Sequence, residues 1–163
     1  MSQTAPSPRA SHILMIATYI IGGIGAAIGF SALNRSDSTA LVGLSAILAV
    51  GITGILSFVR HAIYNRSDAV AGGWDYGQVN NFQIEVGLAN LAWGAFAILA
   101  VVLGWGQQVI ASAFLISGLY FAAVAIFIVV SRDFKDRRVG GFIGITVWAI
   151  VMIWLGGALM LQA

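Results

Sequence analysis

Three polar side chains lie inside an apolar run that is long enough to cross a bilayer. The run covers residues 82–104, and its first third contains Gln83, Glu85 and Asn90. The whole chain of 163 residues has only six acidic residues and two histidines. A polar or ionisable side chain at membrane depth is a functional-site hypothesis by default, because placing it in hydrocarbon costs free energy. These three residues are therefore the first candidates for binding or chemistry.

Helical geometry separates the three candidates into two faces. At 100° per residue, Gln83 and Asn90 fall on one helix face together with two glycines, and this face suits a buried helix contact. Glu85 points to nearly the opposite side and lies about one turn inside the membrane boundary. It either reaches water or pairs with an arginine, or else it sits in an apolar pocket as a proton carrier or a carboxylate ligand.

A second set of polar residues recurs every four positions near the end of the second apolar run. Thr53, Ser57 and His61 follow one helix face toward the membrane boundary. Such a face can line a hydrated path, although hydroxyls in spans commonly bond back to carbonyls of their own helix. Because the second run descends to the surface where the third begins, we expect Glu85 to be the neighbour of His61 in depth.

His12, at the start of the first run, belongs to the same boundary layer. His12, His61 and Glu85 thus form a candidate ligand set of two imidazoles and a carboxylate, which transition metals accept. Their spacing does not demand a metal or haem, and ordinary hydrogen bonds are the alternative. The chain has no cysteine, which excludes thiolate zinc sites and iron–sulfur clusters. We find no catalytic motif, and the identity of any cofactor stays open.

The composition identifies a membrane protein. Sixty per cent of the residues are hydrophobic and 9 % are charged, whereas soluble domains have roughly 25 % charged residues. The net charge is +2, but eight scattered basic residues do not make a surface that follows nucleic-acid phosphates. The bilayer is therefore the expected partner, and nucleic acid is not.

Five runs reach the roughly 20 residues that a membrane-spanning helix needs. They cover residues 13–33, 39–59, 82–104, 109–130 and 141–162. We read the first run as an uncleaved helix, although it loosely resembles a signal peptide. Because helices satisfy their own backbone in hydrocarbon, the pattern predicts an all-α, polytopic bundle of five transmembrane helices that forms a single domain over residues 1–163.

Basic residues predict the orientation of the bundle. Those on one side are Arg9, Arg60, Arg66, Arg132, Lys135, Arg137 and Arg138. Only Arg35 falls on the other side, which predicts a cytoplasmic N-terminus and a C-terminus outside. The connection 60–81 is then cytoplasmic. Its length, together with Trp74 as an interfacial anchor, predicts an ordered and functional loop.

Glycines are concentrated in the spans. Residues 22–29 and 140–144 contain glycines four positions apart, a spacing that lets helix backbones approach closely. This pattern indicates either packing inside one chain or association into a homo-oligomer or larger membrane complex through glycine-rich faces.

Several short motifs carry a resemblance. Arg60-His61, Gly73-Trp74 and a helix that opens Phe-Gln-x-Glu-x-Gly-x-Ala-Asn over residues 82–90 stand in this order. With these motifs the chain resembles a group of uncharacterised small multi-pass bacterial membrane proteins. The resemblance implies that Trp74 belongs to one pattern with Gln83, Glu85 and Asn90 of the third span. It implies no activity.

Three functions follow as hypotheses. The favoured one is a non-enzymatic accessory subunit or small binding protein of the bacterial inner membrane. The first alternative is a small-solute or proton-linked transporter or channel that uses Glu85 with Thr53, Ser57 and His61. The second is a metal-binding or cofactor-binding membrane protein. Enzymatic activity is the less favoured expectation.

Overall fold

Five long helices and one short helix make up the described part of the chain. The computed structural model describes residues 5–35, 38–75, 79–130 and 139–163. In order, the helices are α1 (Arg9–Ala32), α2 (Thr39–Ile63), α3 (Asn65–Gly72), α4 (Asn81–Val102), α5 (Gln107–Val130) and α6 (Val139–Leu161). The predicted all-helical architecture with five spanning helices is confirmed.

Every helix except α3 is long and apolar enough to cross a membrane. The outward faces carry large apolar side chains, such as Ile13 at 67 % and Phe127 at 61 % exposure. Monomeric soluble proteins rarely expose apolar surface on this scale, because water disfavours it. The chain is therefore a multi-pass membrane protein.

The second span is longer than predicted, and part of the predicted loop 60–81 is helical. α2 continues to Ile63, whereas hydropathy ended the span at residue 59. The charge of Arg60 caused that difference, because a guanidinium is costly in hydrocarbon. In the structure Arg60 is paired with an acid on α3, so the helix continues past it.

The bundle has two distinct ends because the long helices alternate in direction. Gln162 donates a hydrogen bond from Nε2 to the carbonyl of Leu33 at 3.1 Å, which places the C-terminus beside the turn after α1. We call this the C-terminal end, and the opposite end, which holds residues 5–9 and α3, the N-terminal end. The basic segment 131–138, which we predicted to anchor the topology, lies outside the described residues.

Glycines of α1 are used for packing inside the molecule. A Cβ atom on Gly25 would lie 2.5 Å from the backbone nitrogen of Ala49 on α2. Ser45 of α2 also donates a 2.7 Å hydrogen bond to the carbonyl of Gly25. Gly23, by contrast, has open space where a Cβ would stand. The interpretation as intramolecular packing therefore holds for Gly25, while Gly23 faces outward.

The apolar core lies in the half of the bundle toward the C-terminal end. Phe114, Met152 and Leu155 are fully buried there, together with alanines and valines from α1, α2, α4 and α5. At the N-terminal end, the buried residues include several polar side chains. The two ends are thus stabilised by different kinds of contact.

Candidate functional site

A buried carboxylate is the centre of a polar cluster at the N-terminal end. Asp68 of α3 is 5 % exposed. Its Oδ1 accepts a hydrogen bond from Ser11 Oγ at 2.7 Å. Its Oδ2 accepts hydrogen bonds from Gln83 Nε2 at 2.7 Å and from His61 Nδ1 at 2.8 Å. Arg60 Nε lies 3.2 Å from Oδ1. We call these five residues the Asp68 cluster.

The end of α2 is shaped so that two consecutive side chains reach Asp68. Residues Val59–Ile63 form a π-helical turn, and such turns often occur at functional sites because the wider turn changes the direction of side chains. Arg60 and His61 both contact the same carboxylate from this turn. The chain then reverses at Tyr64, and α3 packs back against the cluster.

The Gly73-Trp74 motif ends α3. Gly73 has a φ of +74°, a left-handed conformation in which a side chain would be strained. The amide of Gly73 donates a hydrogen bond to the carbonyl of Val70, and the amide of Trp74 donates one to the carbonyl of Ala69. These two bonds form a Schellman motif. Trp74 is 39 % exposed. The motif therefore has a structural role, because it limits the length of the helix that carries Asp68.

A further set of hydrogen bonds ties the N-terminal segment to α3. Ser67 Oγ donates to the carbonyl of Ser7 at 2.8 Å and accepts from the amide of Ser11 at 3.2 Å. Gln83 Nε2 also donates to the carbonyl of Asn65 at 3.2 Å. The start of α1, the end of α2, α3 and the start of α4 are thereby joined around one site.

The partners of His61 indicate which ring nitrogen donates and which accepts. Nδ1 faces Asp68, and Nε2 lies 2.9 Å from Arg60 Nη2. Because a guanidinium only donates, Nε2 must be the acceptor and the ring proton is assigned to Nδ1. With this assignment the imidazole joins Arg60 to Asp68.

The charge on Asp68 is stabilised by its surroundings. Burial raises the pKa of this carboxyl, since desolvation disfavours the charged form. The hydrogen bond from His61 and the charge of Arg60 outweigh burial and lower the pKa of Asp68 from 3.8 to about 2. Arg60 Nε has no aligned hydrogen-bond partner among the described residues despite its 3.2 Å distance from Oδ1, so here it acts mainly as a counter-charge.

Two predicted site residues, His61 and Gln83, meet at a third residue that the sequence analysis did not single out. Asp68 lies in the segment that we interpreted as a loop, and its neighbours show no membrane-span periodicity. One signal was available. His61 and Gln83 each place a polar group near the membrane boundary, and such a group needs a buried partner. Asp68 and Asp75 are the two acids that lie between them in the chain.

Glu85 is not part of this site, because the ring of His61 contacts Asp68 and Arg60 rather than Glu85. Glu85 is exposed, because two residues along a helix turn the side chain about 200° away from Gln83. The described part of the chain contains no group of three His, Cys, Asp or Glu residues that could hold a metal ion. The candidate set of His12, His61 and Glu85 is therefore not assembled.

The remaining candidates bond within their own helices or stand apart. Thr53 Oγ1 donates to the carbonyl of Ala49 at 2.6 Å, as expected for a hydroxyl in a span. Asn90 is 3 % exposed and donates from Nδ2 to the carbonyl of Val86 at 2.7 Å. Ser57 is half-buried. Asn90 thus lies where α4 meets Gly54 of α2, whereas Thr53 Cγ2 lies 3.1 Å from the position that a Cβ on Gly22 of α1 would take.

Fold and site together define a small multi-pass membrane protein whose boundary-layer polar residues converge on one buried carboxylate. Residues 10–163 match the model of a family of unknown function, DUF6790. The chain belongs to this family. The predicted resemblance to an uncharacterised group is confirmed at this level. No curated protein and no solved structure matches the chain.

Proposed function

We propose that the chain is a non-enzymatic integral membrane protein, an accessory subunit or small binding protein of a bacterial inner membrane. The Asp68 cluster is the observation that carries this proposal. An ionised carboxylate offers about four acceptor sites, and four side chains of the same molecule surround Asp68. The buried acid is thus occupied by internal contacts, as suits a structural clamp.

The clamp supports a binding role because it holds one surface in a single conformation. It joins the start of α1, the end of α2, α3 and the start of α4. Buried ionic groups can contribute conformational specificity even where apolar residues would give more stability. We propose that this end faces the cytoplasm, as the distribution of basic residues predicts.

The transport alternative has less support from the geometry. Its proposed residues are Thr53, Ser57, His61 and Glu85. Thr53 bonds its own helix and His61 bonds Asp68, while Glu85 is exposed on another side of α4. These contacts do not arrange the four residues along one path. The accessory role therefore accounts better for the same residues.

To test the proposal, the protein is extracted with its surrounding lipid into polymer-bounded particles, and the mass of the polypeptides in each particle is measured. We expect each particle to contain the 17.1 kDa chain together with at least one further polypeptide. Particles that hold a single chain alone would contradict an accessory role. In a parallel assay with reconstituted vesicles, proton or solute flux that is lost in Asp68→Asn would favour transport instead.

A further inference from the structure

Glu85 is an exposed carboxylate on an outward face of α4. It is exposed, and it has no hydrogen bond or ion pair within the described ranges of the chain. It lies four residues after the start of the helix, about 6 Å along the axis. Exposed residues continue the same face. They are Asn81, Leu88, Ala92, Leu99 and Val102. A charge on such an apolar face needs water or a cation beside it.

α1 carries a complementary face. Exposed residues recur along it at alternating steps of four and three. They are Arg9, Ile13, Ile16, Ile20, Gly23, Ala27 and Phe30. This average spacing of 3.5 residues is the one that keeps a helix face in continuous contact with a second helix. The guanidinium of Arg9 also has no partner in the part of the chain that the structure describes.

The Asp68 cluster shows that the two faces have the same depth. Ser11 and Gln83 both bind the carboxylate of Asp68, so α1 and α4 are level at these positions, which are 72 residues apart in the sequence. Arg9 is then level with Asn81. Since both helices start at the N-terminal end, they run in the same direction, and Arg9 lies about one turn, or 6 Å, from the depth of Glu85.

We propose that Arg9 of one copy pairs with Glu85 of a second copy of this chain, with α1 packed against the neighbouring α4. This inference rests on the proposed function, and it identifies the binding partner as a second copy of the same chain. The Glu85 side chain leans toward the start of its helix, which is toward the level of Arg9. The flexible stem of an arginine covers the remaining distance along apolar surface.

Small residues on both faces permit close contact in that register. The offset of 72 residues places Ile20 opposite Ala92 and Ala27 opposite Leu99. A Cβ on Gly23 would meet no atom of another described segment within 4 Å, so a neighbouring helix can approach there. In membranes, helices associate through such small residues combined with polar contacts.

The proposed interface is head-to-tail, because it joins two different faces of the molecule. Repetition of a head-to-tail contact closes a ring when the rotation between copies permits it. The interface also differs from the glycine-rich face that we predicted from the sequence, since Gly25 is already packed against α2.

Disulfide trapping in native membranes tests the interface, and the chain has no cysteine of its own. Two differently tagged variants, Ile16→Cys and Leu88→Cys, are co-expressed and mildly oxidised. The register predicts a cross-link between the two tags, with the Arg9–Glu85 pair intact. Ile16→Cys with Ile126→Cys, which is 64 % exposed on α5, is the matched control. Absence of the first cross-link, or a stronger link between two Leu88→Cys chains, would overturn the head-to-tail arrangement.

Charge reversal tests the ion pair itself. In the cross-linking background, Arg9→Glu or Glu85→Arg alone should lower the yield at least fivefold, and the two together should restore it to within twofold. Equal yields in all four proteins would overturn the pair. The particle masses separate the two proposals. One copy with a foreign polypeptide refutes only this inference, whereas one copy alone refutes the accessory role as well.

Discussion

Ser11 and Gln83 donate hydrogen bonds to opposite oxygens of one carboxylate, that of Asp68. This shared acceptor joins the first and third membrane spans at one depth, although 72 residues separate them in sequence. The fully buried apolar cluster lies nearer the other end of the bundle. Changes in the Asp68 cluster should therefore alter the N-terminal end while the apolar core remains packed.

Replacing Asp68 with asparagine should lower the free energy of unfolding by about 3 kcal/mol, because removal of one charge leaves Arg60 partly buried without its counter-charge. Asparagine keeps the size of the side chain, so the loss reports charge rather than packing. Chemical unfolding in detergent micelles measures the effect. Arg35→Gln is the matched control, since the exposed Arg35 side chain has no partner within the described chain, and it should change stability by less than about 0.5 kcal/mol. Equal effects of both variants would contradict the clamp.

Acid should weaken the same cluster. The pKa of Asp68 is lowered from 3.8 to about 2 in the folded protein, so its ionised form stabilises the fold above pH 4. This contribution, about 2 kcal/mol, is lost as the pH falls from 4 toward 2. Unfolding midpoints measured across this range should fall more steeply for the native chain than for Asp68→Asn. Parallel curves would show that Asp68 does not titrate in the cluster.

Gln83 should tolerate loss of its amide better than gain of a charge. Gln83→Glu places a second carboxylate beside Asp68, where the native Nε2 lies 2.7 Å from Oδ2, and like charges at that distance repel strongly. Gln83→Met has a similar size without charge and leaves Asp68 with its other donors. We expect Gln83→Glu to lower the thermal midpoint at pH 7 by more than Gln83→Met does. The reverse order would mean that the hydrogen bond from the Gln83 side-chain amide, rather than the balance of charge, stabilises the site.

The architecture was largely predictable because the bilayer requires long apolar helices, and the hydropathy of the sequence shows where these are. The five spans, and the buried face of Gln83 and Asn90, follow from apolar length and a 3.6-residue period. The opposite direction of Glu85 follows from the same period. These features depend on one helix at a time, which is the scale that sequence periodicity describes.

Asp68 was not predictable by the same means, because its role depends on three segments that meet in space. No period connects Ser11, His61 and Gln83 to it. The apparent end of the second span at Arg60 also concealed the π-helical turn Val59–Ile63, since a paired arginine has the same hydropathy as an unpaired one. Partners, rather than residue types, determine where this helix ends.

The contact between α2 and α4 should be sensitive to a single methyl group. A Cβ on Gly54 would lie 2.5 Å from the carbonyl oxygen of Asn90, and because backbone cannot move as a side chain can, the helices must separate. We expect Gly54→Ala to cost about 1–3 kcal/mol. Gly157→Ala on α6 is the matched control, since a Cβ there would meet no atom of another described segment within 4 Å. Unfolding by mixed detergents measures both variants. If Gly54→Ala proves as stable as Gly157→Ala, the backbones of α2 and α4 are not in contact at this position. The depth of α4 relative to the Asp68 cluster would then be less firmly established.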